Sequence, residues 1–185
     1  MSKVIIETER LRLRTWNAHY GKLLGHHCNT DEVMGHLGGK QSPSQHEEMV
    51  NWLIEQQDDY GITFLAMERK GDDEFLGFCG LIRVDEADST VLGATEIGWR
   101  LRSDAQRKGY AKEAAQACLR YAFTETDGLR VVSRTVAANV PSWGLMQKLG
   151  MHHDPRLDYL SGDGTAFIVY VATYDDWSKG IIAKT

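Results

Sequence analysis

Apolar and polar positions alternate in "ERLRLRTW", where Leu11 and Leu13 interleave with Arg10, Arg12 and Arg14. A period of two predicts a strand with one wet face. "NAHYGKLLGHHC" (17–28) has the spacing of a short helix. "SPSQHEEMVNWLIEQQDD" (42–59) is a clearer one: Ser44 and Glu47 have capping-box spacing, and Met49, Trp52, Leu53 and Gln56 fall on one helical stripe. "GITFLAMER" (61–69) and "EFLGFCGLIRVD" (74–85) flank the turn "KGDD" and predict a hairpin. "ADSTVLGA" (87–94) reads as a loop or a short strand start, and "TEIGWRL" (95–101) as a further strand. An Ala-rich helix follows at "YAKEAAQACLRYAF" (110–123), then a Val-rich strand at "LRVVSRTVAAN" (129–139). "PSWGLMQKLG" (141–150) is a helix with Pro141 in its first turn and Gly150 at its stop. "TAFIVYVATYDDW" (165–177) is a long apolar strand. No linker, repeat or low-complexity segment interrupts the series. The expectation is one α+β domain over residues 1–185, with a mixed, mostly antiparallel sheet flanked by helices.

Composition narrows the function classes. A chain of 185 residues is long enough for a sizeable core. Its net charge of -5 argues against bulk nucleic-acid binding, which wants a basic face, but leaves room for a local basic pocket. The three cysteines, Cys28, Cys79 and Cys118, are an odd count without CxxC spacing, so neither a disulfide framework nor a zinc site is expected. Cys79 and Cys118 lie in apolar periodic segments and read as buried thiols. The opening "MSKVIIETERLRLR" has no hydrophobic signal core, and no apolar run approaches a membrane span. A cytoplasmic protein is expected.

The loop between "TEIGWRL" and the Ala-rich helix carries the chemistry. In "QRKGYAKEA", Arg107 and Lys108 precede a helix start, where the dipole is positive and cations are poorly placed unless an anion joins them. Successive backbone N–H groups there lack helical partners, and Gly109 permits close approach. Together these form a phosphate cradle. The alternative is a surface loop with solvated basic residues. The chain has no G-x-G-x-x-G after a first strand and no G-K-[ST], so dinucleotide-fold and P-loop readings fail.

Gln106-x-x-Gly109-x-Ala111 resembles the Q/R-x-x-G-x-G/A pattern of the GNAT superfamily of N-acetyltransferases. "TEIGWRL" resembles that family's fourth strand, "YAKEAAQACLRYAF" its following helix, and "VAANVPSWGLMQKLGM" its fifth strand and next helix, with an N-x-x-S…K-L-G-[FM] pattern. "TERLRLR" is similar to the opening of the branch containing the ribosomal-protein N-terminal acetyltransferases. The resemblance runs from about Glu7 to Tyr174. It implies acetyl-CoA as cosubstrate and a sheet splayed between the family's fourth and fifth strands. The pyrophosphate would lie on Gln106, Arg107, Lys108, Gly109, Tyr110 and Ala111. Pantetheine would pair with the backbone of Trp99, Arg100 and Leu101 like an added strand. A strand N–H near Gly98 or Trp99 would polarise the thioester carbonyl. Trp99 also suits plain core packing.

The same resemblance proposes the acid–base pair. Glu96 sits in a central strand, where an unpaired carboxylate is expensive to bury. It reads as a general base, acting directly or through water, or as the partner of a strand arginine. Many family members use a tyrosine acid in L-Y-x-K-L-G-F; here Met146 stands in its place and cannot donate a proton. Ser142, early in the same helix, then becomes the candidate acid, its alternative role being to satisfy a first-turn backbone group. Asn139 is assigned to the pantetheine amide in preference to a helix cap.

Other residues remain open. His26, His27 and Cys28 are consecutive and converge poorly on a metal, and His152 and His153 suit an acceptor groove better; no metal is expected. Trp16, Trp52, Tyr159 and Tyr170 read as core. Asp154, Asp158 and Asp163 would suit a cationic amine if they faced the groove, but a solvated hairpin is the preferred reading. Two functions of different class stand. One is an N-acetyltransferase acting on a protein N-terminus or a small amine by direct attack in a ternary complex. The other is a non-catalytic acyl-CoA sensor or scaffold. Neither nucleic acid nor membrane is an expected partner, and monomer and homodimer are equally compatible.

Overall fold

The computed structural model describes residues 2–126 and 129–180. Nine strands among them join one sheet: β1 (Val4–Glu7), β2 (Leu11–Arg14), β3 (Phe64–Arg69), β4 (Phe75–Arg83), β5 (Thr95–Leu101), β6 (Arg130–Val136), β7 (His152–His153), β8 (Tyr159–Leu160) and β9 (Ala166–Thr173). The spatial order is β1-β2-β3-β4-β5-β6-β9-β7, with β8 also on β9. Every pairing is antiparallel except β5–β6. The helices are α1 (Ala18–Cys28), α2 (Asp31–Met34), α3 (Pro43–Tyr60), α4 (Tyr110–Glu125), α5 (Val140–Lys148) and α6 (Tyr174–Ser178).

Each face of the sheet buries a different set of helices. On one, Ala114, Ala115, Cys118 and Leu119 of α4 pack with Leu13, Met67, Ile97 and Leu101. On the other, Leu24 and Cys28 of α1 and Leu53 of α3 pack with Ala66, Phe75 and Phe78. β4 runs between these layers and is buried from Phe75 to Ile82. That is why its sequence is continuously apolar, whereas β2, with Leu11 and Leu13 inside, alternates.

Beside β4 the backbone comes so close that only glycine fits at Gly77. Its φ is +136°, and a Cβ there would lie 2.0 Å from the Arg100 carbonyl oxygen. The sheet opens on the other side of β5. β5 and β6 are in register only at Thr95–Val131 and Glu96–Val132. Beyond Glu96, β5 continues along β4 and β6 continues along β9, so the parallel pair parts as expected.

Three local expectations change. The N-cap of α3 is Ser42, not Ser44. Ser42 Oγ accepts from the Gln45 amide, and Gln45 Oε1 accepts from the Ser42 amide. Pro43 decides this: its fixed φ suits the first helical position, so the cap falls on Ser42, two residues before the expected Ser44. The strand predicted over 165–177 ends at Thr173, whose hydroxyl accepts from the Asp176 amide and starts α6. Val4–Glu7, for which no element was predicted, forms a strand by pairing with β2.

Candidate functional site

β5 leads through a turn at Ser103–Ala105 into residues 106–109 and then α4. Gln106 ties the loop back to its strand, donating from Nε2 to the Leu101 carbonyl at 3.2 Å. Arg107 has φ +60° and Gly109 φ +85°. For glycine that is free; for Arg107 it costs on the order of 1–2 kcal/mol, a strain the sequence does not advertise. No side chain caps α4, and Glu113 is the first residue of the helix whose amide reaches a carbonyl, that of Gly109 at 3.1 Å. The amides of Tyr110, Ala111 and Lys112 therefore point out of the helix end without a backbone acceptor among the described residues. Curled loop, free amides and exposed Arg107 and Lys108 together suit a phosphate.

A residue that sequence reasoning left on a wet strand face completes this loop. Arg10 donates from Nη1 to the Lys108 carbonyl at 3.1 Å and from Nε to Glu113 at 2.6 Å, and its guanidinium lies 4.6 Å from the Tyr110 ring centroid. Thr8 Oγ1 donates to the same Glu113 at 2.6 Å. The start of β2 is thus bolted to the head of α4, and Glu113 is held below the usual carboxylate range by these bonds despite its burial. Thr8 and Arg10 belong to the "TERLRLR" stretch, so a signal existed, but nothing in its alternation aimed it at residue 108.

Glu96 occupies the last paired position before β5 and β6 part. It is 7% exposed. Arg134 of β6 donates from Nε to its Oε2 at 2.9 Å, and also pairs with Glu86 at 2.6 Å and with the Tyr159 hydroxyl. The two alternatives for Glu96 are therefore compatible: it is ion-paired with a strand arginine and still titrates high. Burial pushes its pKa up to about 7, against the pull of Arg134. Arg134, which has two carboxylates beside it, is held firmly protonated.

The period of two along β5 sorts the other predicted residues. Ile97 and Leu101 face α4 and its core, and Trp99 packs partly against the same cluster. Glu96, Gly98 and Arg100 face the side of α1 and α3: a Cβ on Gly98 would lie 2.7 Å from the Phe64 ring, and Arg100 lies over Phe78. Asn139 flanks α5 without capping it through its side chain, while its carbonyl accepts from the Ser142 amide at 3.0 Å. Ser142 is partly exposed in the first turn of α5, at the end of β6, and Met146 is buried. The structure thus gathers residues 106–111 in the loop beyond β5 and the first turn of α4, and sets Asn139 and Ser142 beyond the end of β6.

The remaining polar candidates are engaged elsewhere. His153 pairs with Asp158 at 3.0 Å and stacks on Tyr170, and His152 is 4.0 Å from Asp176. Asp154, bonded to Arg156, has its pKa drawn down to about 2, and Asp163 accepts from Ser161. Cys79 and Cys118 are buried, with their sulfurs 3.9 Å apart. Among the described residues no group of three or more His, Cys, Asp or Glu could hold a metal ion, and no helix is long and apolar enough to cross a membrane.

A parallel strand pair that parts beside an uncapped glycine loop defines an open α+β sheet with a helix start suited to an anion. The chain belongs to the GNAT acetyltransferase family: the family model described as "Acetyltransferase (GNAT) domain" matches residues 10–152. The uncharacterized protein YkkB of Bacillus subtilis (strain 168) is 33% identical over 157 residues, covering 84% of this chain and 90% of that protein. The acetyltransferase from Agrobacterium tumefaciens str. C58 shares the fold with a TM-score of 0.79 at 21% identity, over 93% of this chain and 95% of that one. RimL, a ribosomal L7/L12 alpha-N-protein acetyltransferase solved in complex with coenzyme A, has a TM-score of 0.73 at 16% identity, over 92% and 98%. The protein is an acetyl-CoA-dependent acyltransferase.

Proposed function

We propose that the protein moves acetyl from acetyl-CoA to a primary amine by direct attack in a ternary complex. The observation that carries this reading is Glu96, a buried carboxylate held by Arg134 where β5 and β6 separate. The cofactor pyrophosphate would rest on Gln106, Arg107, Lys108, Gly109, Tyr110 and Ala111, and pantetheine on Trp99, Arg100, Leu101 and Asn139. When bound, acetyl-CoA supplies an activated thioester.

Glu96 takes a proton from the ammonium, directly or through water, and so frees the nitrogen lone pair before attack; as the C–N bond forms, the nitrogen sheds a second proton to solvent. A carboxylate titrating near the working pH is matched to that task. Arg134 orients Glu96 and keeps part of its population ionised. Ser142, in the first turn of α5, gives a proton to the thiolate as the C–S bond breaks. Holding both substrates in line supplies much of the remaining rate. A base tuned in this way supports turnover over the sensor reading.

The test is thiol release from acetyl-CoA across a panel of amines and N-terminal peptides, with Glu96→Gln and Ser142→Ala beside the wild type. Turnover on one acceptor class, cut about a hundredfold or more in either variant, supports the acid–base roles. Turnover untouched in both would leave positioning as the main catalytic contribution and overturn them.

A further inference from the structure

Arg12, Arg14, Arg69, Arg102 and Arg134, the partly buried arginines of this sheet and its ends, each pair with a carboxylate. Arg100 pairs with none among the described residues. Its Nε is buried without a hydrogen-bond partner, and its neighbours are the Phe78 ring, 5.2 Å from the guanidinium carbon, and Met49 Sδ, 3.8 Å from Nη1. The same sulfur touches a second orphan. Gln41 Nε2 lies 3.5 Å from Met49 Sδ, while Gln41 Oε1 is buried and unbonded. Arg100 Nη1 and Gln41 Nε2 thus meet at one thioether, with Arg100 Nε and Gln41 Oε1 left without partners. Leaving both unpaired is costly unless a ligand completes them.

Their place in the fold says which ligand. Arg100 is on the same face of β5 as Glu96, with Gly98 between them giving its space to Phe64, which stacks on Phe78 at 5.2 Å. A carboxylate that takes a proton, an aromatic floor and an unpaired cation therefore follow one another along the strand. We infer that the acceptor is a primary amine carrying a carboxylate, the amine meeting Glu96 and the carboxylate meeting Arg100. Gln41 Oε1 would accept from an N–H or O–H beside that carboxylate. One guanidinium matches a single negative charge, and its planar fork matches a carboxylate. A phosphate dianion would ask for more than one cation. The inference rests on the acyltransferase reading of the cleft and adds the acceptor's chemical class.

The test is a series of ω-amino carboxylates of increasing length, each beside its methyl ester, assayed by thiol release. The wild type should prefer one carboxylate over its ester by about tenfold or more in kcat/KM, because a site built for a polar group rejects the analogue lacking it. Arg100→Met should abolish that preference through KM for the amine, Arg100→Lys should restore part of it, and Gln41→Ala should weaken it. Equal rates for carboxylate and ester in the wild type would overturn the inference while leaving acetyl transfer standing. So would a loss in Arg100→Met that falls equally on both amines or on KM for acetyl-CoA. Calorimetry of CoA-saturated protein with the N-acetylated amino acids separates the two readings should no amine turn over. Binding that Arg100→Met abolishes upholds the carboxylate site, and no binding at any length overturns it.

Discussion

Arg134 reaches across from β6 to hold Glu96 at 2.9 Å, and the pair sits where the two parallel strands are last in register. An arginine at that distance ordinarily pulls a carboxylate well down. Here burial outweighs it and pushes the pKa up to about 7.

Rate should follow that titration. kcat/KM for the preferred amine is expected to rise with pH through about 7 and then level. Glu96→Gln should remove this limb and lower the rate by roughly 10²–10⁴. Arg134→Gln should move the limb to higher pH, since the arginine's attraction is what holds the acid down. A limb unmoved in Glu96→Gln would assign it to another group.

Stability should respond with the opposite sense to a salt-bridged surface carboxylate. A pKa raised from 4.5 to about 7 means that the folded state binds the proton more tightly than the unfolded chain. The resulting stabilisation is complete below the unfolded value and is lost as pH rises through about 7. Compared with Glu96→Gln by urea unfolding, the wild type should therefore lose roughly 3 kcal/mol between pH 4 and pH 8. A difference that stays flat across this range would contradict the assignment.

The bolt between β2 and α4 should act on cofactor affinity. Arg10→Ala removes the bonds to Lys108 and Glu113 and frees the loop. With charge-assisted bonds contributing about 1.5 kcal/mol, acetyl-CoA binding should weaken about tenfold by calorimetry. Glu113→Gln should act in the same direction, and the double variant should fall short of the sum. Unchanged affinity in Arg10→Ala would reduce the network to a structural tie.

Gly77 should tolerate nothing larger. A Cβ 2.0 Å from the Arg100 carbonyl forces β4 and β5 apart. Gly77→Ala is expected to cost about 3 kcal/mol or more, a fall of roughly 10 °C in Tm. A Tm within about 2 °C of the wild type would show that the two strands can part without penalty.

The loop and helix start at residues 106–111 were readable because they are contiguous in sequence. Arg10 was not, because it reaches Lys108 from 98 positions away and only sheet pairing brings the two together. Glu96 stood out as a carboxylate in a central strand, yet its partner could not be named until β6 lay beside β5. Gln41 gave no sequence signal, and Arg100 was singled out only for its backbone; that its side chain lacks a carboxylate partner could not be read, since an unsatisfied atom is defined by what surrounds it.

Local chemistry lies on the chain itself. Alternation in β2, the apolar run of β4, the glycine loop and the proline in the first turn of α5 are each set by neighbours a few residues apart, so the sequence alone determined the family and the sheet-and-helix plan. Only the tertiary structure decided which charges meet and how dry they are. It placed Arg134 against Glu96 and Arg10 against the loop, and left Arg100 without a carboxylate partner among the described residues. Burial and pairing are properties of the packed interior, and they depend on distances that no local pattern records.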